Sequence, residues 1–181
     1  MKNIVFIATS LDGYIAGANG EIDWLHLIPN PENDNMGFNA LMEEVDAVIM
    51  GRKTYETVIG FEGDWPYRKH VFVLSNSLKK IPDKLDGKVS LMNGNHRDIL
   101  DQIHNGGYSN LYIDGGTTIQ GFLREDLIDE LRITTIPILL GGGFSLFGEL
   151  QGSLEFELKE SKLFLNQLVQ NHYRRKKANN T

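Results

Sequence analysis

Short apolar runs alternate along the chain with stretches of helical spacing. Ile4 to Ala8, Ala47 to Met50, Val71 to Leu74, Val89 to Met92 and Leu111 to Ile113 each have the composition of a buried strand. Between them, Gly37 to Val45 sets Phe38, Leu41, Met42 and Val45 on one helical face, and Arg97 to His104 does the same with Ile99, Leu100 and Ile103. A further helix is expected from about Thr118 to Arg124, and Leu127 to Leu131 leads into a strand over Arg132 to Leu139. Such alternation requires right-handed crossovers and predicts an α/β domain with a largely parallel sheet covered by helices.

The last segment has a different period. Leu154, Phe156 and Leu158 alternate with Glu155, Glu157 and Lys159, as in a half-exposed strand, and Leu168 to Arg174 can return antiparallel to the stretch near Leu163. The sheet should therefore end as a mixed one. Pro29 to Asn35 reads as a loop and Asn93-Gly94-Asn95 as a turn. No repeat or linker divides the chain, so one domain over residues 1–175 is expected, with a basic and polar tail over 176–181. The run Arg174-Arg175-Lys176-Lys177 is expected to be frayed and solvated.

Composition narrows the functional classes. The 181 residues carry net charge −6, are 41% hydrophobic and 23% charged, and include no cysteine. That is ordinary globular composition, and it removes disulfide scaffolds, thiol nucleophiles and cysteine-bound zinc. No apolar run reaches membrane length, and the N-terminal run Ile4 to Ala8 is too short for a signal peptide. An acidic balance argues against a general nucleic-acid binder, so a cytoplasmic protein acting on a small molecule is the expectation. The five histidines are scattered without metal-ligand spacing, so no metal is expected.

Four segments gather candidate chemistry, each directly after a predicted strand, where ligands bind in open parallel sheets. Thr9-Ser10-Leu11-Asp12-Gly13-Tyr14-Ile15-Ala16-Gly17 reads equally as a lid facing a ligand or as a turn built on Asp12-Gly13. Gly51-Arg52-Lys53-Thr54-Tyr55-Glu56 opens a helix: its glycine permits close backbone approach, free N–H groups attract anions, and Arg52 and Lys53 add charge. Those cations oppose the helix dipole, which favours a bound anion over a solvated helix start with Thr54 as local cap. Ser75-Asn76-Ser77 could meet a second side of the same phosphate, or form an ordinary turn. Asp114-Gly115-Gly116-Thr117-Thr118 places two glycines before a helix start able to hold a pyrophosphate, without being a G-x-G-x-x-G fingerprint or a P-loop. Gly141-Gly142-Gly143 reads as a structural turn.

Taken in order, Ser10-Leu11-Asp12-Gly13-Tyr14-Ile15-Ala16, Gly51-Arg52-Lys53-Thr54-Tyr55-Glu56, Val73-Leu74-Ser75 and Asp114-Gly115-Gly116 resemble the dihydrofolate reductase superfamily, including its riboflavin-biosynthesis reductase domain. The match runs from Ile4 to Tyr173. Gly51 to Glu56 is similar to dihydrofolate reductase itself; Ser10 to Gly13, Leu127 to Leu131 and Pro137 to Gly141 are similar to the riboflavin-pathway domain. The resemblance implies a dihydrofolate reductase-like three-layer fold, with a mostly parallel mixed sheet, an antiparallel C-terminal hairpin and helices on both faces. It also implies an NADPH-dependent reductase of a pyrimidine- or pteridine-type heterocycle, and on the same grounds a homodimer. The 5-amino-6-(5-phosphoribosylamino)uracil reductase type leads, followed by dihydrofolate reductase and, from another class, a non-enzymatic nucleotide-binding module.

Carried over by position, Gly51, Arg52, Lys53 and Thr54 take the 2′-phosphate and pyrophosphate side of NADPH, with Ser75 and Asn76 at the adenosine end. Asp114, Gly115, Gly116, Thr117 and Thr118 cradle the pyrophosphate, while Ala8, Ile15 and Ala16 line the nicotinamide and the loop from Gly17 to Trp24 closes over it. Asp34, Asn35, Phe38 and Thr134 fall on the catalytic, substrate-facing side. Dihydrofolate reductases carry a carboxylate early in the helix before the Gly51 strand. Counting back puts Asn35 there and Asp34 one residue off, and an amide cannot hold the charge of a protonated pterin.

Overall fold

The computed structural model describes residues 1–61 and 63–177. Along the chain run β1 (Lys2–Ser10), β2 (Tyr14–Ala16), α1 (Phe38–Glu44), β3 (Ala47–Gly51), α2 (Arg52–Ile59), β4 (His70–Leu74), β5 (Val89–Met92) and α3 (His96–Asn105). There follow β6 (Asn110–Asp114), α4 (Gly116–Arg124), β7 (Glu130–Ile136), β8 (Phe144–Ser145), β9 (Phe156–Phe164) and β10 (Leu168–Arg175). Eight strands form one sheet in the order β5-β4-β3-β6-β1-β7-β10-β9, and β2 pairs separately with β8. From β5 to β7 all neighbours are parallel; β10 and β9 add on antiparallel.

The period of two in the strands divides their side chains between two cores. Val5, Ile49, Leu111 and Ile113 meet Ile99, Leu100 and Ile103 of α3 and Ile119 and Phe122 of α4. On the other face Ile4, Val48, Met50 and Tyr112 meet Leu41 of α1 and Tyr55 of α2. The result is the expected three-layer α/β arrangement, with helices on both faces of a mostly parallel mixed sheet.

Several details depart from expectation, among them that β7 begins at Glu130 rather than Arg132 and α4 at Gly116 rather than Thr118. β7 stops at Ile136 rather than Leu139, because Pro137 has no N–H with which to continue the ladder. β9 starts at Phe156 rather than Leu154 and forms the sheet edge, exposed on both faces over most of its length. The basic run near the C-terminus is docked rather than frayed. Arg174 and Arg175 belong to β10, Arg175 Nε and Nη2 lie 2.7 and 3.0 Å from the Asp126 carboxylate, and Lys177 Nζ is 2.7 Å from Asp129. The anchoring carboxylates lie about fifty residues away in sequence, so local charge patterning gave no sign of them. Residues 178–181 of the expected tail lie outside the described residues.

At the amino ends of the strands a charge network closes the α1 face. Buried Glu130 accepts from Lys2 at 2.9 Å, Arg132 at 2.9 Å and His172 at 3.0 Å, and Glu44 of α1 joins through Arg132 at 2.6 Å. Burial raises the Glu130 pKa, but hydrogen bonds from Lys2 and Arg132 and the charges of Lys2 and His172 overbalance it and hold the carboxyl down to about 2.

Candidate active site at the carboxyl ends of the parallel strands

Strand register brings the predicted phosphate-binding segments together. Gly51 pairs with Leu74 and Met50 with Asp114, so Arg52, Ser75 and Gly115 leave the sheet side by side. α2 and α4 begin there with Gly51 and Gly115 as N-caps, and neither has a side-chain cap. By contrast α3, which follows the edge strand β5, is capped by Asn95, whose Oδ1 accepts from Asp98 N at 2.9 Å. Two helix amino ends with unsatisfied N–H groups therefore meet at one place, an arrangement suited to an anion.

Glycine makes that meeting possible. Gly115 has φ +88°, and a Cβ on it would stand 2.2 Å from Thr54 Oγ1; one on Gly51 would stand 2.8 Å from Thr118 Oγ1, and one on Gly116 would stand 2.5 Å from Ile15 Cδ1. Gly51, Thr54, Gly115, Gly116, Thr118 and Ile15 thus form one close-packed group. Arg52 and Lys53 lie on its exposed rim: Arg52 Nη1 is 3.0 Å from Glu56, and Lys53 Nζ lies 5.7 Å from the centroid of the Phe144 ring. Thr54 is not the helix cap. Ser75 Oγ accepts from Ser77 N at 3.2 Å and Leu78 N at 2.9 Å, which shapes the turn after β4, while Asn76 and Thr117 are exposed.

The remaining predicted residues lie on the α1 face. Ala8 pairs with Thr134, and Phe38 packs against Phe6 and Tyr112 with ring centroids 6.0 and 6.4 Å apart. Asp114 alternates onto this same face rather than joining the glycine cradle through its side chain. Its Oδ1 accepts from Gly115 N at 2.8 Å and its Oδ2 from Tyr67 Oη at 3.3 Å. Burial raises the pKa of this carboxyl, and the hydrogen bonds from Gly115 and Tyr67 only partly offset it.

Asp34 and Asn35 sit in the exposed turn before α1, with their side chains engaged by its backbone. Asp34 Oδ1 accepts from Met36 N at 2.7 Å, and Asn35 Oδ1 accepts from Gly37 N at 3.2 Å and Asn39 N at 3.1 Å. What ties this turn to the sheet is Gln170, which donates to both Met36 O and Thr134 Oγ1. Neither Gln170 nor Tyr67 was singled out by sequence. Tyr67 had a local signal, an aromatic pair around a proline in Trp65-Pro66-Tyr67, but nothing in sequence links it to a residue 47 positions away.

The segment after β1 is pinned rather than free. Asp12 accepts from Ser10 Oγ at 2.6 Å, Gly141 N at 2.8 Å and Leu140 N at 3.1 Å, and Leu146 N donates to Gly13 O at 3.0 Å. A Cβ on Gly143 would stand 2.2 Å from Ala16 O. The later glycine run is thus a structural turn, and it carries Ile15 and Ala16 of β2 alongside β8 and against the start of α4. A cavity of about 370 Å³ lined by Val58, Ile59, Phe61, Trp65 and Leu85 lies at the far end of α2, roughly 12 Å of helix from Gly51.

Among the described residues no group of three or more His, Asp or Glu is placed to hold a metal ion, and no helix is long and apolar enough to cross a membrane.

A mostly parallel mixed sheet with two uncapped helix starts meeting at its carboxyl edge defines an α/β domain with a candidate anion site. The chain belongs to the RibD C-terminal domain family, whose pattern matches residues 2–170. It is 40% identical over 175 residues to the uncharacterised protein YwjB of Bacillus subtilis (strain 168), covering 95% of this chain and 97% of that one. A candidate riboflavin biosynthesis protein from Shewanella sp. PV-4 superposes with TM-score 0.95 at 55% identity, over 98% of this chain and 100% of that one. Dihydrofolate reductase from Enterococcus faecalis, solved with NADP(H), superposes with TM-score 0.65 at 17% identity over 97% of each chain and shows the shared dihydrofolate reductase-like fold.

Proposed function

We propose that the protein is an NADPH-dependent reductase of a pyrimidine- or pteridine-type heterocycle, with 5-amino-6-(5-phosphoribosylamino)uracil as the leading substrate. The observation that carries this reading is the convergence of two uncapped helix amino ends over Gly51 and Gly115. The N–H groups of Arg52, Lys53 and Thr54 and of Gly116, Thr117 and Thr118 would hold the pyrophosphate. Arg52 and Lys53 would take the 2′-phosphate, with Ser75 and Asn76 at the adenosine end and Ala8, Ile15 and Ala16 beside the nicotinamide. When bound, NADPH would supply a hydride; the protein would hold the electron-poor C=N or C=O carbon that receives it and exclude water.

The heterocycle lies on the α1 face between Phe38, Thr134 and Asp114. The Asp114 carboxyl keeps its proton to higher pH than an ordinary aspartate, so it can donate from a carboxyl oxygen to a ring acceptor. With Asn35 and Asp34 engaged in their own turn, Asp114 is the carboxyl best placed on this face, which ranks the riboflavin-type substrate above dihydrofolate. The protein acts in the cytoplasm as a homodimer: Leu163 and Val169, paired across β9 and β10, are 63% and 38% exposed on an uncovered sheet face, and Leu158 of β9 is 53% exposed.

Thermal unfolding with excess NADPH, and separately with NADH, tests the reading. Ligand at about 100 times its Kd adds roughly 2.7 kcal/mol. A shift with NADPH alone, followed by loss of NADPH absorbance on adding the aminouracil, is expected. No shift with either nucleotide overturns the cofactor assignment.

A further inference from the structure

Gln170 Nε2 lies 3.1 Å from Met36 O and 2.9 Å from Thr134 Oγ1, so both N–H bonds of its side-chain amide go to protein acceptors. Thr134 is 5% exposed and Gln170 9%. An amide nitrogen can only donate, so Thr134 Oγ1 is the acceptor in that bond and must direct its own proton elsewhere. Among the described residues no protein acceptor takes that proton. On the neighbouring strand the residue in register with Thr134 is Ala8, whose side chain is only a methyl, on the face shared with Phe6 and Phe38. The same amide acts on the chain entering α1. Met36 and Gly37 are consecutive residues with positive φ, 50° and 90°, and a Cβ on Gly37 would stand 3.8 Å from Gln170 Oε1.

We propose that Gln170 is a positioning residue for the substrate: it fixes the Thr134 hydroxyl as a donor toward the bound ring and holds the entry to α1 over that ring. A ring is then selected for presenting an acceptor there, a carbonyl oxygen or an unprotonated ring nitrogen. This rests on the reductase reading above, since it takes the α1 face to be the substrate site. Gln170→Glu reverses the polarity of the contact, because a carboxylate accepts the Thr134 proton and repels Met36 O.

The test compares binding of two fluorescent probes, pterin and 2-aminopteridine, the second lacking the ring carbonyl. Wild-type protein saturated with NADPH is expected to prefer pterin by about tenfold, the value of one neutral hydrogen bond. Thr134→Ser keeps the preference, while Thr134→Val and Gln170→Glu lose it. Amide exchange at residues 36–39 speeds up in Gln170→Glu but not in Thr134→Val and reports the Met36 contact alone, whereas the probe preference is the readout that a merely structural role would not move. The NADPH-induced thermal shift stays the same in all variants and reports that they fold. If Gln170→Glu does not fold, the Thr134→Val and Thr134→Ser pair decides. Equal binding of the two probes by wild type, or an undiminished preference in Gln170→Glu or Thr134→Val, overturns the role of Gln170 and leaves the reductase reading standing. Loss of both probe binding and any NADPH shift in the wild type overturns both.

Discussion

Substituting Gly115 by alanine tests the packing at the heart of the proposed site. Two separable penalties follow from the structure. Gly115 sits at φ +88° and ψ 130°, a conformation closed to L side chains, which costs about 1–3 kcal/mol. The new Cβ would also stand 2.2 Å from Thr54 Oγ1 and 3.3 Å from Thr54 Cβ. Thr54 is β-branched and lies in the first turn of α2, so it has little freedom to turn aside, and overpacking adds about 1–3 kcal/mol. Gly115→Ala should therefore lose about 2–6 kcal/mol in urea unfolding followed by tryptophan fluorescence. In a Thr54→Ala background the clashing oxygen is gone and most of the overpacking goes with it, so the cost should fall by about 1–3 kcal/mol. Equal costs in the two backgrounds, with unchanged m-values, would refute the close approach of α2 and α4 on which the anion site depends.

Three further outcomes are expected. Arg52→Ala should weaken NADPH binding by about 1.5–3 kcal/mol and NADH much less, read by isothermal titration; equal losses would remove Arg52 from the 2′-phosphate. Glu130 has a folded pKa of about 2 against an ordinary 4.5, so its stabilisation is complete above pH 4.5 and drains away as pH falls toward 2. Between pH 7 and pH 3 the wild type should lose about 2 kcal/mol more than Glu130→Gln, and parallel losses would show the carboxyl to be unperturbed. Leu163→Glu, on the exposed sheet face, should convert a dimer into a monomer by light scattering without changing the NADPH-induced shift; a monomeric wild type would end the dimer reading.

The layered architecture was legible because strand and helix periods are local properties. Val48 and Ile49 already point to opposite faces by alternation, and the two cores follow from it. The convergence of the candidate phosphate-binding segments was legible for a related reason: in a parallel sheet every strand delivers its next residues to the same edge, so Gly51, Ser75 and Gly115 had to meet once the strands were right. The α1 face was much less legible. Tyr67 reaches Asp114 and Gln170 reaches Met36 and Thr134 only through crossovers whose length and packing no local pattern encodes. Asp114 shows the limit from the other side. Its position beside two glycines suggested the phosphate, yet alternation along β6 turns its side chain to the face of Tyr112, away from Ile113 and α4.

Strand direction also separates what stabilises this domain from what equips it. The amino ends of β1 and β7 are closed by paired charge: Glu130, Lys2, Arg132, His172 and Glu44 meet across β1, β7, β10 and α1. The carboxyl ends carry the opposite condition, two helix starts without caps and a buried carboxyl whose hydrogen bonds do not fully offset its burial. Unsatisfied N–H groups and a raised pKa are costs in the free protein, and a ligand bearing a phosphate and a ring acceptor relieves both at once. It follows that the two ends respond differently to the same perturbation. Acid should erode the amino-end network through Glu130, whereas at Asp114, whose pKa burial raises, added protons only favour the donor form that the substrate uses, so substrate binding should outlast the onset of acid destabilisation. A binding curve that collapses at higher pH than the stability curve would show that the two ends are coupled.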